Sequence, residues 1–102
     1  MTVTRTSNVP RWFRQQVLVP EMRALEEQVA YISDILLDLF TNYQEKWSEM
    51  DLLGNQPLNY RILQNMLEIR HELEEIQNNI EKYEKELSLF TEELRAIYDL
   101  VD

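Results

Sequence analysis

The chain has no cysteine, one glycine and three prolines among its 102 residues. Without cysteine it forms no disulfide within the chain, no iron–sulfur cluster and no thiolate zinc site. A single glycine leaves no Gly-rich phosphate-cradling loop, because such loops need several positions where the backbone approaches the ligand closely. So little Gly and Pro also supplies few turns. No apolar run nears the roughly 20 residues of a membrane-spanning helix, and the first twenty residues contain no apolar signal-peptide core. The expectation is a cytoplasmic protein without a transmembrane segment.

Positive charge is also short. The net charge is −9, and residues 1–20 carry Arg5, Arg11 and Arg14 with no acid, so that stretch is +3 and the rest is −12. Such a balance disfavours contact with nucleic-acid phosphates and with anionic lipid, and it favours basic partners. No direct nucleic-acid binding is expected.

What the chain does have is helical periodicity. The apolar content of 44% is enough for a core, and Leu, Glu, Ile and Gln dominate over Val and Thr, which favours helix over sheet. Ile62, Met66, Ile69, Leu73, Ile76, Ile80, Tyr83, Leu87, Phe90, Leu94, Ile97 and Val101 recur at alternating intervals of four and three. That alternation keeps one helical stripe facing a partner helix, at the period of a left-handed supercoil. A second seam runs Met22, Leu25, Val29, Ile32, Leu36, Leu39, Tyr43, Lys46, Met50, Leu53. Lys46 is its one polar member, read either as a side chain that snorkels to water or as a device that selects register.

These patterns predict a flexible polar arm over 1–9 and a helical hairpin domain over 10–102. Within that domain a short helix covers 10–18, with a break or kink before Pro20, since proline disfavours helical geometry at the preceding Val19. A first long helix covers 20–53, a turn 54–58 and a second long helix 59–101. Gly54 suits the left-handed position after a helix. Asn55 or Asn59 suits the next cap, and Pro57 the first turn beyond it. Two long helices with a short linker must fold back, so the fold class is all-α, an antiparallel coiled-coil hairpin. The second helix outruns the first, and Trp12, Phe13, Val17 and Leu18 are expected to cover its far end.

The first long helix has more apolar surface than one partner helix covers. Tyr31 and Ile35 flank its seam on one side, and Leu37, Phe40 and Trp47 on the other. The second helix widens near the turn at Tyr60, Leu63 and Leu67. A helix that is apolar on several faces is buried on several faces. Tyr31, Ile35, Leu37, Phe40, Trp47, Leu63 and Leu67 are therefore the candidate protein interface, and dimerisation into a four-helix bundle is expected.

Arg11-Trp12-Phe13-Arg14 is the one basic-aromatic cluster, suited to docking on a partner or to packing in cis beside the acids of the C-terminal turns. Catalytic candidates are poor. The chain has one His, and Ser7, Ser33, Ser48 and Ser88 have no evident base. Glu68-Ile69-Arg70-His71 resembles the Glu-x-x-His of ferritin-like di-iron bundles, but both residues flank Ile69 instead of lying in the seam. Tyr98-x-x-x-Asp102 is similar to the tail of the small Trp-x-Gly secreted helical hairpins. Trp47, however, precedes Ser48 and Glu49 within a helix. Each resemblance stops at these residues, and no family follows from either.

No cofactor, metal or enzymatic activity is expected. The expected role is a scaffold, adaptor or small assembly subunit working through helix–helix contacts, with itself and with another protein. Two alternatives stand beside it: an acidic inhibitor or nucleic-acid mimic that fills a partner's basic groove, and a dedicated chaperone for a secreted or assembly subunit.

Overall fold

The computed structural model describes residues 9–101. Helix α1 (Arg11–Phe13) leads through a π-helical turn, Arg14–Leu18, into α2 (Val19–Gly54), and α3 (Tyr60–Val101) follows after residues 55–59. No strand occurs among the described residues. The fold is an all-α helical hairpin.

Every position of both seams is buried or half-buried. Leu25, Ile32 and Leu36 on α2 and Ile69, Leu73, Ile80, Leu94 and Ile97 on α3 are the most enclosed. No side chain among the described residues is completely buried. Two packed helices share one line of contact, so even central residues keep an edge to solvent.

The hairpin divides into two compact units, one made of residues up to Ser33 with those from Lys85 onward, the other Asp34–Glu84. In the first, Leu18 and Leu25 pack with Leu94 and Ile97, and Val9, Phe13, Met22, Val29, Phe90 and Val101 surround them. The N-terminal segment thus covers the end of α3 through Phe13 and Leu18. Trp12 does not take part: it remains 61% exposed, its ring edge-on to Phe13 at 5.7 Å. Val9, expected in the free arm, packs on this cluster; the rest of that arm and Asp102 lie outside the described residues.

Where a break or kink is expected before Pro20, the helix is not broken and a π turn occupies the site. Val19 is helical, at φ −65° and ψ −46°, and its N–H bonds to the Arg14 carbonyl. That is the wider spacing of a π turn. Proline inside an α-helix strips one N–H and drives its ring against the carbonyl four residues back. The wide turn at Arg14–Leu18 displaces that carbonyl, so the chain passes Pro20 without leaving the helix.

The hairpin turn also differs from expectation in detail. Gly54 is helical and no glycine has positive φ, so α2 does not end on a left-handed residue. Instead the Gln56 N–H reaches back to the Leu53 carbonyl at 3.2 Å, a tightened last turn. Pro57 then disfavours helix at Gln56. Pro57 itself lies before the helix and not in its first turn. Asn59 is the cap: its Oδ1 accepts the Ile62 N–H at 2.9 Å, satisfying one of the donors a helix start leaves open.

Two substitutions test this account of the turn. A methyl group at Gly54 would meet nothing within 4 Å, and the helical backbone there suits alanine. Gly54→Ala is expected to stabilise the protein by ~0.4–1 kcal/mol, mainly by restricting the unfolded chain. Asn59→Ala is expected to cost about 1 kcal/mol. Urea unfolding of both variants checks the pair; destabilisation by Gly54→Ala would contradict the helical geometry assigned to that residue.

Candidate functional site

A coiled-coil seam has two flanks, and in the Asp34–Glu84 unit they differ in chemistry. On one side α2 contributes Phe40 and Trp47, each at the position following a seam residue, and α3 contributes Leu63, Arg70 and Gln77 at the equivalent position. The heptad fixes this: residues one step past the seam on both helices of an antiparallel pair fall on the same flank. A cleft of about 430 Å³ opens here, lined by Tyr43, Trp47, Met50, Met66, Arg70, Leu73, Glu74 and Gln77. Trp47 lies edge-on to Tyr43, with ring centroids 6.3 Å apart.

This flank is rich in exposed apolar side chains. Leu37 is 64% exposed, Phe40 44%, Trp47 46%, Leu63 45% and Leu67 57%. Tyr60, at the start of α3, is exposed as well. Of the other candidates, Ile35 is half-buried on the opposite side of α2. Tyr31 is exposed and belongs to the other compact unit. The candidate residues thus form no single patch. Phe40, Trp47 and Leu63 share one flank, with Leu37 and Leu67 one helical step further out, and Ile35 falls elsewhere.

The opposite flank is polar. Its cleft, about 480 Å³, is lined by Lys46, Glu49, Leu52, Leu53, Gln56, Asn65, Glu68, Ile69 and Glu72. The seam lysine resolves its own placement here. Lys46 Nζ lies 2.7 Å from the Glu72 carboxylate across the hairpin and 3.5 Å from Glu49 on its own helix. The hydrogen bond to Glu72 raises the lysine's pKa above its ordinary value, against a smaller opposing effect of burial. Glu72 was not foreseen as a partner, because a seam gives the stripe but not the level at which two helices meet.

The remaining motifs take separate places. Glu68 lines the polar cleft, while His71 Nε2 lies 3.1 Å from Glu75, both side chains well exposed. Among the described residues no three or more His, Asp or Glu side chains gather as a metal site would require. Ser33 and Ser48 donate their hydroxyls to the Val29 and Gln44 carbonyls of their own helix, a local bond that occupies them. In the basic-aromatic cluster, Arg11 and Trp12 are exposed while Phe13 and Arg14 are half-buried. Tyr98 is part of α3, and burial followed by the Glu26 carboxylate raises its phenol pKa. No helix among the described residues is long and apolar enough to cross a membrane.

Both shifts carry the same sign for stability. A raised folded pKa means that the fold favours the protonated form, here the Lys46 ammonium and the neutral Tyr98 phenol. Each contribution is complete below the unfolded pKa and is lost as pH rises through the folded one. Stability is therefore expected to fall above about pH 10. Urea midpoints at about pH 9 and about pH 11 check this: the fall should shrink in a Lys46→Met, Tyr98→Phe double variant, and an undiminished fall would assign it to other groups.

No protein-family model, curated protein or solved structure matches this chain.

Proposed function

We propose that this protein is a non-enzymatic interaction module, a scaffold or adaptor that self-associates and engages other proteins through helix–helix contacts. The observation that carries the reading is the apolar flank of the Asp34–Glu84 unit, where Leu37, Phe40, Trp47, Leu63 and Leu67 stand exposed on neighbouring helix faces. Isolated exposed apolar residues are ordinary, but several on one flank support an association surface. Tryptophan and other aromatics are also the side chains on which protein interfaces most depend.

The energetics favour an occupant. Covering apolar surface contributes ~25 cal/mol per Å². Covering the exposed parts of Phe40 and Trp47 alone would therefore contribute several kcal/mol, a sizeable fraction of a small domain's whole stability. The acidic surface elsewhere sets what else can approach: it repels like-charged molecules and attracts basic ones. Pairing through the α2 side of this flank, which carries no charge from Leu37 to Ser48, lets two acidic copies meet with few like charges in contact. The result is a four-helix bundle whose outer faces remain available to a further protein.

Sedimentation equilibrium on the full chain tests this reading. The expected mass at micromolar concentration is at least twice the 12.4 kDa of one chain. Phe40→Glu with Trp47→Glu is expected to reduce it to one chain while helicity by circular dichroism is retained. A single-chain mass for the unaltered protein at high micromolar concentration, with Trp47 open to a soluble quencher, would overturn it.

A further inference from the structure

We infer that the self-association proposed above is a two-fold dimer in which α2 packs antiparallel against α2 of a second copy, with the axis passing between Tyr43 and Gln44. This inference rests on the self-association reading and specifies its geometry.

The argument starts from the symmetry such contacts require. A two-fold interface is isologous: if residue i meets residue j, then j meets i. In an antiparallel helix pair the two members of each contact lie equally far from the axis on opposite sides. Along α2 the apolar flank has that arrangement. Phe40 and Trp47 are equidistant from the point between Tyr43 and Gln44. The operation sets Phe40 against Trp47 of the second copy, and Trp47 against Phe40.

The cavity and charge agree with this. The cleft beside Trp47 is lined by Tyr43, Met50, Met66 and Leu73 together with Arg70, Glu74 and Gln77, and its volume of about 430 Å³ has room for a phenylalanine ring. Methionine side chains adapt well to such an insertion and make favourable sulfur–aromatic contacts. From Leu37 to Ser48 the residues on this flank (Leu37, Phe40, Thr41, Gln44, Trp47 and Ser48) carry no charge. Each copy has a net charge of −9, so an uncharged contact strip matters more for a second copy than for a basic partner. Aromatic side chains present roughly 150–250 Å² each. With their exposed fractions, Leu37, Phe40 and Trp47 present on the order of 300 Å² per copy to the α2–α2 contact, and Leu63 and Leu67 on α3 extend the same apolar flank.

Disulfide trapping provides a direct test, because the chain has no native cysteine. In the proposed dimer Gln44 lies next to the axis and meets Gln44 of the second copy, within the 4.4–6.8 Å between Cα atoms that a disulfide spans, to about that precision. Leu37 residues of the two copies would be separated by about 20 Å, from ~1.5 Å of rise per residue. Under mild oxidation the full-length Gln44→Cys variant is expected to convert mainly to covalent dimer, and the Leu37→Cys variant to remain uncoupled. Mixing Phe40→Cys with Trp47→Cys protein should give the mixed dimer in excess over either self-linked species. Equal self-linking at Gln44 and Leu37 would indicate parallel helices and overturn the inference. Absence of Gln44 linking in a protein whose sedimentation mass is dimeric would also overturn it, while leaving self-association intact. A single-chain mass would remove the self-association reading and this geometry together.

Discussion

Two helices lying side by side bury one line of side chains, and everything else in this protein follows from that limit. A residue in the line is shielded by its own helix and by the facing one, and by nothing on the two flanks. Hence the seam residues are buried or half-buried while none is sealed completely. Stability has to come from the length of the contact, since its cross-section is fixed. The chain responds with two long seams of unbroken three-four spacing, and it spends almost none of its residues on turns.

That economy explains which features were legible from residue order. The spacing of Ile62 through Val101 specifies a buried stripe because the rule linking interval to face is purely geometric. The same rule separates Phe40 and Trp47 from the seam and places them together beside it. Features that depend on the relation between segments were harder to read. Whether Lys46 meets water or an acid depends on the level at which α3 passes it, and Glu72 is a partner only in the folded register. Trp12 and Phe13 have similar composition and neighbouring positions, yet one packs beneath Leu94 and Ile97 while the other faces out. At Pro20 the local preference was read correctly and the form of the outcome was not. A single π turn absorbs a conflict that sequence rules resolve by breaking or kinking the helix.

Chemistry is distributed as unevenly as packing. One flank of the Asp34–Glu84 unit carries Tyr43, Trp47, Met50, Met66 and Leu73 beside Arg70, Glu74 and Gln77, and the other carries Lys46, Glu49, Glu68 and Glu72 beside Leu52, Leu53 and Ile69. A hairpin with two similar flanks would offer any partner two equivalent ways of docking. In the proposed association, covering the polar flank would cost desolvation of its charges and covering the apolar side would not, so the two flanks are not equivalent docking faces. The Lys46–Glu72 pair adds little energy at a half-exposed position. A seam cation with its partner across the hairpin nonetheless favours the level at which the two meet, because sliding one helix along the other would break that contact.

The turn has a consequence beyond joining two helices. Hairpins of long helices are prone to domain swapping: if the linker becomes helical, α2 and α3 fuse and each finds its seam partner in another molecule. Gly54 is already helical here, and nothing in its own conformation stops α2 from continuing. Pro57 raises the barrier. It lacks the N–H that a continuous helix would require at that point and disfavours helix at Gln56, while Asn59 restarts the hydrogen-bonding pattern independently. The loop therefore does more than connect: it penalises the extended conformer in which two chains would exchange arms.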